Sequence, residues 1–293
     1  MIKKWVLGVA ILSATALSFH IAAYLIWPDV SRLQKEQPGK TSFMAYREQQ
    51  WKKAGEEKKI RKQWKPLNRI SPYALKAVII AEDDKFWSHE GFDFEAIQKA
   101  VKKDLQNKRL KVGGSTISQQ LAKNLYLTPS KSPIRKLKEA ILTWRLERNL
   151  SKRRIVELYL NIAEWGDGIF GIEAASLQYF GKSAADLTAR EAAQLAVVLP
   201  NPLRYHPGKA GCPEKRAETI YRIMVLRGIV IPEYEELLDE LTSGKKGHQD
   251  DPVSGQREPA DLPDSPLREQ KEKAIQIPGN GVSGGGGERG SDR

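Results

Sequence analysis

Ser71-Pro72-Tyr73-Ala74-Leu75-Lys76-Ala77-Val78-Ile79-Ile80-Ala81-Glu82-Asp83-Asp84 reads as one complete helix and sets the pattern for the chain around it. The serine is an N-cap, the proline occupies the first helical position where its missing N–H costs nothing, and Leu75, Val78 and Ile79 recur at helical spacing. Further along, Ser132-Pro133 repeats the device ahead of Ile134, Leu137 and Ile141. Ile155, Leu158, Tyr159 and Ile162 stand at i, i+3, i+4 and i+7, and Thr188 with Glu191 forms a capping box whose helix Pro200 and Pro202 close. Between Ser71 and Ser243 no convincing period-two alternation or hairpin signal interrupts the series, so the expectation is a mainly α domain with short connections.

On the amino-terminal side, Trp5 to Trp27 is a run of 23 residues without Lys, Arg, Asp or Glu, long enough to cross the ~30 Å hydrocarbon core of a bilayer. Lys3 and Lys4 precede it, and Trp5, Tyr24 and Trp27 stand at the interface positions, which keeps the amino terminus cytoplasmic and the remainder extracytoplasmic. Ala14-Thr15-Ala16 imitates a signal-peptidase site, but the apolar run continues past it, so an uncleaved anchor is the preferred reading. The organisation that follows is a cytoplasmic tip and transmembrane anchor at 1–27, a polar stalk at 28–65, a catalytic domain at 66–243 and a disordered Gly/Pro-rich tail at 244–293. With 48 basic and 36 acidic residues the chain carries net charge +12, which favours polyanionic partners without choosing among nucleic acid, anionic lipid and pyrophosphate. One cysteine, Cys212, excludes an internal disulfide and a thiolate zinc site.

Three places break local rules. Glu82-Asp83-Asp84 puts three carboxylates at a helix carboxyl end, where the macrodipole disfavours them. Glu82 is therefore a catalytic candidate, with His89, Gly91 and Asp93 following, although helix physics alone favours an ordinary solvated acidic end. Gly113-Gly114 leads through Ser115 or Thr116 into a helix on which Gln119 and Lys123, and Gln120 and Asn124, are paired at i, i+4, while Ile117, Leu121 and Leu125 turn inward. Free amides at such a start attract anions, so these residues form a candidate polar substrate wall; alone the pattern is weak, and it lacks the lysine of a nucleotide-binding loop. Finally, Lys123 to Arg154 holds ten Lys or Arg against Glu139 and Glu147, with Arg135 and Lys136 one turn before Glu139. Such a field can hold phosphate, and it can equally be a solvated face laced with intrahelical ion pairs.

Taken in order, these residues resemble the motifs of the peptidoglycan glycosyltransferases (glycosyltransferase family 51). Glu82-Asp83-x-x-Phe86-x-x-His89-x-Gly91-x-Asp93 is similar to the first motif, the Gly-Gly-Ser-Thr stretch to the second, Arg135-Lys136-x-x-Glu139 to the third and Arg153-x-Ile155-Val156-Glu157-x-Tyr159-Leu160-Asn161 to the fourth. Resemblance runs from Trp64 to Pro207 and is greatest to the monofunctional biosynthetic transglycosylases; the Ser-x-x-Lys motif of a penicillin-binding domain is absent. It implies a mostly helical lysozyme-like head with a smaller membrane-contacting jaw, and an inverting polymerase that joins lipid II to a growing lipid-linked glycan by β-1,4 bonds at the outer face of the cytoplasmic membrane. Glu82 then matches the general base and Glu139 the second glutamate. Ser115, Thr116, Gln119, Gln120, Lys123, Asn124, Arg135 and Lys136 become the substrate and pyrophosphate contacts. A divalent cation, Mg2+ or Mn2+, is left open as a cofactor, and other cell-wall synthesis or division proteins are candidate partners; nucleic acid is not expected.

Two other readings compete. A lysozyme-like glycan-cleaving enzyme would also use two carboxylates in a helical domain, but it has no pyrophosphate to hold with the basic third motif. A non-catalytic, membrane-tethered polyanion-binding protein would need the cations but has no use for Glu82 and Glu139 among them.

Overall fold

The computed structural model describes residues 2–107, 114–130 and 132–231; Gly113 and the tail at 244–293 lie outside these. Its first helix, α1 (Ile2–Ala22), is long and apolar enough to cross a membrane and is exposed along its length, with Trp5, Leu12 and Phe19 all more than two-thirds accessible. A short 3-10 turn, Ala23–Leu25, ends it.

The segment read as a polar stalk is held against the domain. Val30 and Leu33 are buried, and α2 (Ser42–Ala54), capped by the Thr41 hydroxyl, buries Met44 and Trp51. Arg47 donates two bonds, 2.8 and 2.7 Å, to the buried carboxylate of Glu164, and the Trp51 indole donates to Asp167. Gly168 makes room for that indole: with φ +73° it suits glycine alone, and a Cβ there would stand 2.5 Å from the Trp51 ring. Strand β1 (Arg61–Lys62) pairs in parallel with β3 (Ile169–Phe170), which pairs antiparallel with β2 (Glu164–Gly166). At two or three residues each, these strands are too short to leave an alternating pattern in the sequence.

Otherwise the domain is helical, as expected. α3 (Pro72–Glu82) begins at Ser71-Pro72, and α4 (Phe94–Asn107) follows a turn-rich loop. α5 (Ile117–Tyr126) opens with a full capping box between Thr116 and Gln119, and α6 (Pro133–Asn149) begins at Ser132-Pro133. α7 (Lys152–Ile162), α8 (Ile172–Phe180), α9 (Ala189–Ala196) and α10 (Glu214–Leu226) complete it, with the Thr188–Glu191 capping box opening α9. α5 packs between α6 and α7, and α3 packs against α9 and α10. Ile117, Leu121, Leu142, Leu146, Ile155 and Leu158 form the fully buried centre of the first group, which fixes α5 as the central element of the site.

One arginine joins anchor to domain. Arg145 of α6 is 9% exposed and has no carboxylate partner among the described residues; its guanidinium donates instead to the carbonyls of Tyr24 (3.0 Å) and Ile26 (2.9 Å). These are carbonyls at the end of the anchor, where a helix leaves acceptors unpaired and carries partial negative charge.

Candidate active site

The three acids at the end of α3 have three different fates. Asp83 is buried and accepts a 2.9 Å bond from the backbone N–H of Ile117, the first residue of α5. A carboxylate unfavourable for the dipole of one helix thus sits where the dipole of another favours it. His89 Nε2 donates to both Asp83 oxygens, and its Nδ1 accepts from Gly91 N–H, which fixes the tautomer. Gly91 has φ +92°, and a Cβ there would lie 2.9 Å from Thr143 Cγ2 and 3.0 Å from Glu147 Cγ. Its carbonyl accepts from the Thr116 hydroxyl, while Asp93 caps the start of α4 through Ala96 N–H. His89, Gly91 and Asp93 therefore build the joint between α3, α4 and α5. Asp84 is half exposed and paired bidentately with Arg227, at 2.6 and 2.8 Å, which holds its carboxyl below the usual range.

Glu82 is the acid that remains. Its side chain is 10% exposed, and Oε2 accepts a 2.8 Å bond from Gln120 Nε2. Gln120 Oε1 in turn accepts from the hydroxyl of Tyr159, at 3.0 Å. Among the described residues no hydrogen bond reaches Oε1 of Glu82; its nearest cation is Arg216 Nη2 at 3.8 Å, which donates to the carbonyl of Ala81. Burial pushes the Glu82 carboxyl above the usual range, opposed by the Gln120 bond and by the charges of Arg216 and Lys123.

One turn along α5 from Gln120, Lys123 makes no hydrogen bond among the described residues. Burial lowers its ammonium from the usual value, against the pull of Glu139 and Glu82 and with the push of Arg135 and Lys136. Glu139 is 2% exposed and fully engaged: one oxygen accepts from Arg135 Nη1 at 2.5 Å, the other from Lys136 Nζ. Lys136 also donates to the Ser115 hydroxyl, and Arg135 to the carbonyl of Ser130.

The sequence-derived set thus divides. Glu82, Gln120 and Lys123 stand together, and Ser115, Arg135, Lys136 and Glu139 form a cationic group adjoining Lys123. Thr116 and Gln119 are occupied by the capping box, so they shape the start of α5. Asn124 is buried without a hydrogen bond to any of these groups among the described residues. Sequence reasoning missed Arg216 and Arg227, because a basic residue on an exposed helix gives no local sign of a partner 135 residues away. It also assigned Tyr159 to the apolar stripe of its helix, where its spacing puts it; its hydroxyl function leaves no trace in periodicity.

A transglycosylase family model matches residues 48–227. The chain is 53% identical over 168 residues to the biosynthetic peptidoglycan transglycosylase of Dechloromonas aromatica (strain RCB), covering 57% of this chain and 73% of the relative. It is 47% identical over 204 residues to the protein of that name from Azoarcus sp. (strain BH72), covering 69% and 87%. With that from Janthinobacterium sp. (strain Marseille), identity is 41% over 222 residues, covering 75% and 94%. A match across most of the helical domain, including every residue of the site just described, shows that the chain belongs to the transglycosylase family.

Proposed function

We propose that the site polymerises lipid II into peptidoglycan glycan strands with Glu82 as general base. Peptidoglycan glycosyl transfer is the chain's activity as a family member; the residue roles are our reading. The observation that carries the assignment is the environment of Glu82: a buried carboxylate with raised proton affinity, one oxygen held by Gln120 and the other open, beside an unbonded lysine.

A sugar hydroxyl is a poor nucleophile at neutral pH. As the 4-hydroxyl of the acceptor N-acetylglucosamine bonds to the donor anomeric carbon, its proton passes to Glu82 Oε1. The bond from that carbon to undecaprenyl pyrophosphate breaks on the opposite face, with inversion. Charge on the leaving pyrophosphate is met by the charge-assisted donors of Lys123, Arg135 and Lys136, the last two held in place before the reaction. Glu139 holds Arg135 and Lys136 in place. Among the described residues no three His, Cys, Asp or Glu side chains come together, and both Glu139 oxygens already accept from Arg135 and Lys136, so the neutralising charge is assigned to the three basic side chains. That saturation also disfavours glycan cleavage, which needs the second carboxylate free to serve acid or nucleophile.

α1 serves as a single-pass anchor that keeps the domain at the outer leaflet, where a lipid-linked substrate resides. The test is Glu82→Gln assayed with labelled lipid II by gel analysis: the amide preserves shape and cannot take the proton, so polymer disappears while substrate binding persists. Polymer at the wild-type rate overturns the assignment.

A further inference from the structure

We infer that Tyr159 is a positioning residue for glycosyl transfer: it orients the Gln120 amide so that its donating end holds one oxygen of Glu82 while the other stays open to the incoming proton. The inference rests on the reading of Glu82 as general base and deepens it.

A glutamine amide has a donating end and an accepting end, and nothing in its shape decides which faces a neighbour. An ionised Glu82 needs the donating end, and Gln120 presents it, Nε2 to Oε2 at 2.8 Å. That leaves Gln120 Oε1 pointing inward, where it must meet a donor. The Tyr159 hydroxyl, 3.0 Å away, is that donor. Tyr159 is 1% exposed, and burial, then the charges of Glu82 and Asp83, push its phenol well above the usual range, so its proton stays on the oxygen at any working pH. Without the hydroxyl the Gln120 carbonyl loses its partner in a buried place, and the amide is free to turn that carbonyl toward the Glu82 carboxylate.

The other groups facing Glu82 do not duplicate this hold. Arg216 of α10 lies at 3.8 Å and bonds Ala81 instead, and Lys123 of α5 acts through space. Asp83 is committed to Ile117 N–H and His89, and Asp84 to Arg227. On α9, Arg190 is paired with Glu218 and Glu191 with Lys182. Gln120 is the one hydrogen-bond donor to Glu82 among the described residues, and Tyr159 is what aims it.

The sign of the effect follows. The Gln120 bond stabilises the charged carboxylate against burial; losing it makes Glu82 hold its proton to higher pH, so fewer molecules carry a working base on the acid side. The experiment measures kcat and KM for lipid II against pH, in detergent, with full-length wild type, Tyr159→Phe, Gln120→Leu and the double variant. Glu82→Gln is the reference. For Tyr159→Phe we expect kcat about tenfold lower on the acid side, the scale of one hydrogen bond to a charged group. The acid limb should move to higher pH with recovery above it, and KM should stay near wild type. Gln120→Leu should move the same limb the same way, and the double variant no further than the single ones. If Tyr159→Phe does not fold, Tyr159→Met, equally unable to donate, takes its place in the test. A wild-type acid limb, an equal loss of kcat at every pH, or additive effects in the double variant each overturn the role of Tyr159. An inactive Glu82→Gln beside an unshifted Tyr159→Phe removes only this inference, whereas an active Glu82→Gln removes the base assignment beneath it.

Discussion

Glu82 and Glu139 are both buried glutamates on helices that pack around the same region, yet their surroundings differ in kind. Glu82 ends α3 with one amide donor, one open oxygen and a carboxyl raised by burial. Glu139 lies in the second turn of α6 with a guanidinium on one oxygen and an ammonium on the other. A carboxylate left short of partners exchanges protons readily; one saturated by cations fixes those cations in space. Residue type is thus common to both, and the count of partners separates the proton acceptor we propose from the proposed scaffold for charge.

The contrast is broken most directly by exchanging charge for amide at each position. Glu82→Gln should lower kcat by about 10³-fold, within the range for removal of a general base, while lipid II affinity measured by direct binding stays near wild type. Glu139→Gln should do less to kcat and more to the fold: it leaves two cations without their anion, at a cost near 2 kcal/mol by thermal or urea unfolding. That figure is below the one for fully buried pairs because the Lys136 side chain is 46% exposed. Equal kcat losses in both variants would erase the distinction.

Smaller changes sharpen it. Lys123→Ala and Arg135→Ala should each weaken lipid II binding by about 10- to 100-fold, the equivalent of roughly 1.5–3 kcal/mol for a charge-assisted contact, with titration against the substrate as the check. Unchanged affinity in both would move the pyrophosphate site elsewhere. Arg216→Ala should have the least effect. It removes a cation that favours ionised Glu82, so the acid limb of the rate profile should rise in pH; at 3.8 Å and 44% exposure, solvent screening limits the loss to a few-fold below that limb. A loss that persists at high pH would mean that Arg216 meets substrate directly.

How much of this could be read in the chain depended on distance along it. Helix starts at Ser71-Pro72, Ser132-Pro133 and Thr188 were legible because a proline at the first helical position and a capping box are local chemistry; the two serines stand at the N-cap positions but make no side-chain capping bond, Ser71 donating to the carbonyl of Leu187 instead. Glu82, Glu139 and the basic residues beside the latter could be picked out locally, as an acid at a helix end and a one-turn ion pair, but their assignment as site residues came from the order of the motifs and not from helix physics. The packing of residues 28–65 was not legible, because its buried members Val30, Leu33, Met44 and Trp51 are scattered among polar neighbours, and partners such as those of Arg47 and Trp51 lie over a hundred residues away. Thr116 and Gln119 were read as substrate contacts although they stand at capping-box spacing, three residues apart; in the structure the Thr116 hydroxyl and the Gln119 side-chain carbonyl close that box.

Arg145 gives the proposed membrane placement a mechanical side. By bonding the carbonyls of Tyr24 and Ile26 it couples the end of α1 to α6, the helix that carries Glu139, Lys136 and Arg135 roughly two to three turns away. A rod of fixed length meets a thicker or thinner bilayer by changing its tilt. Under the proposed placement that tilt would pass through the Arg145 contact toward Arg135, Lys136 and Glu139, so that lipid thickness would become an input to the geometry of the cationic group.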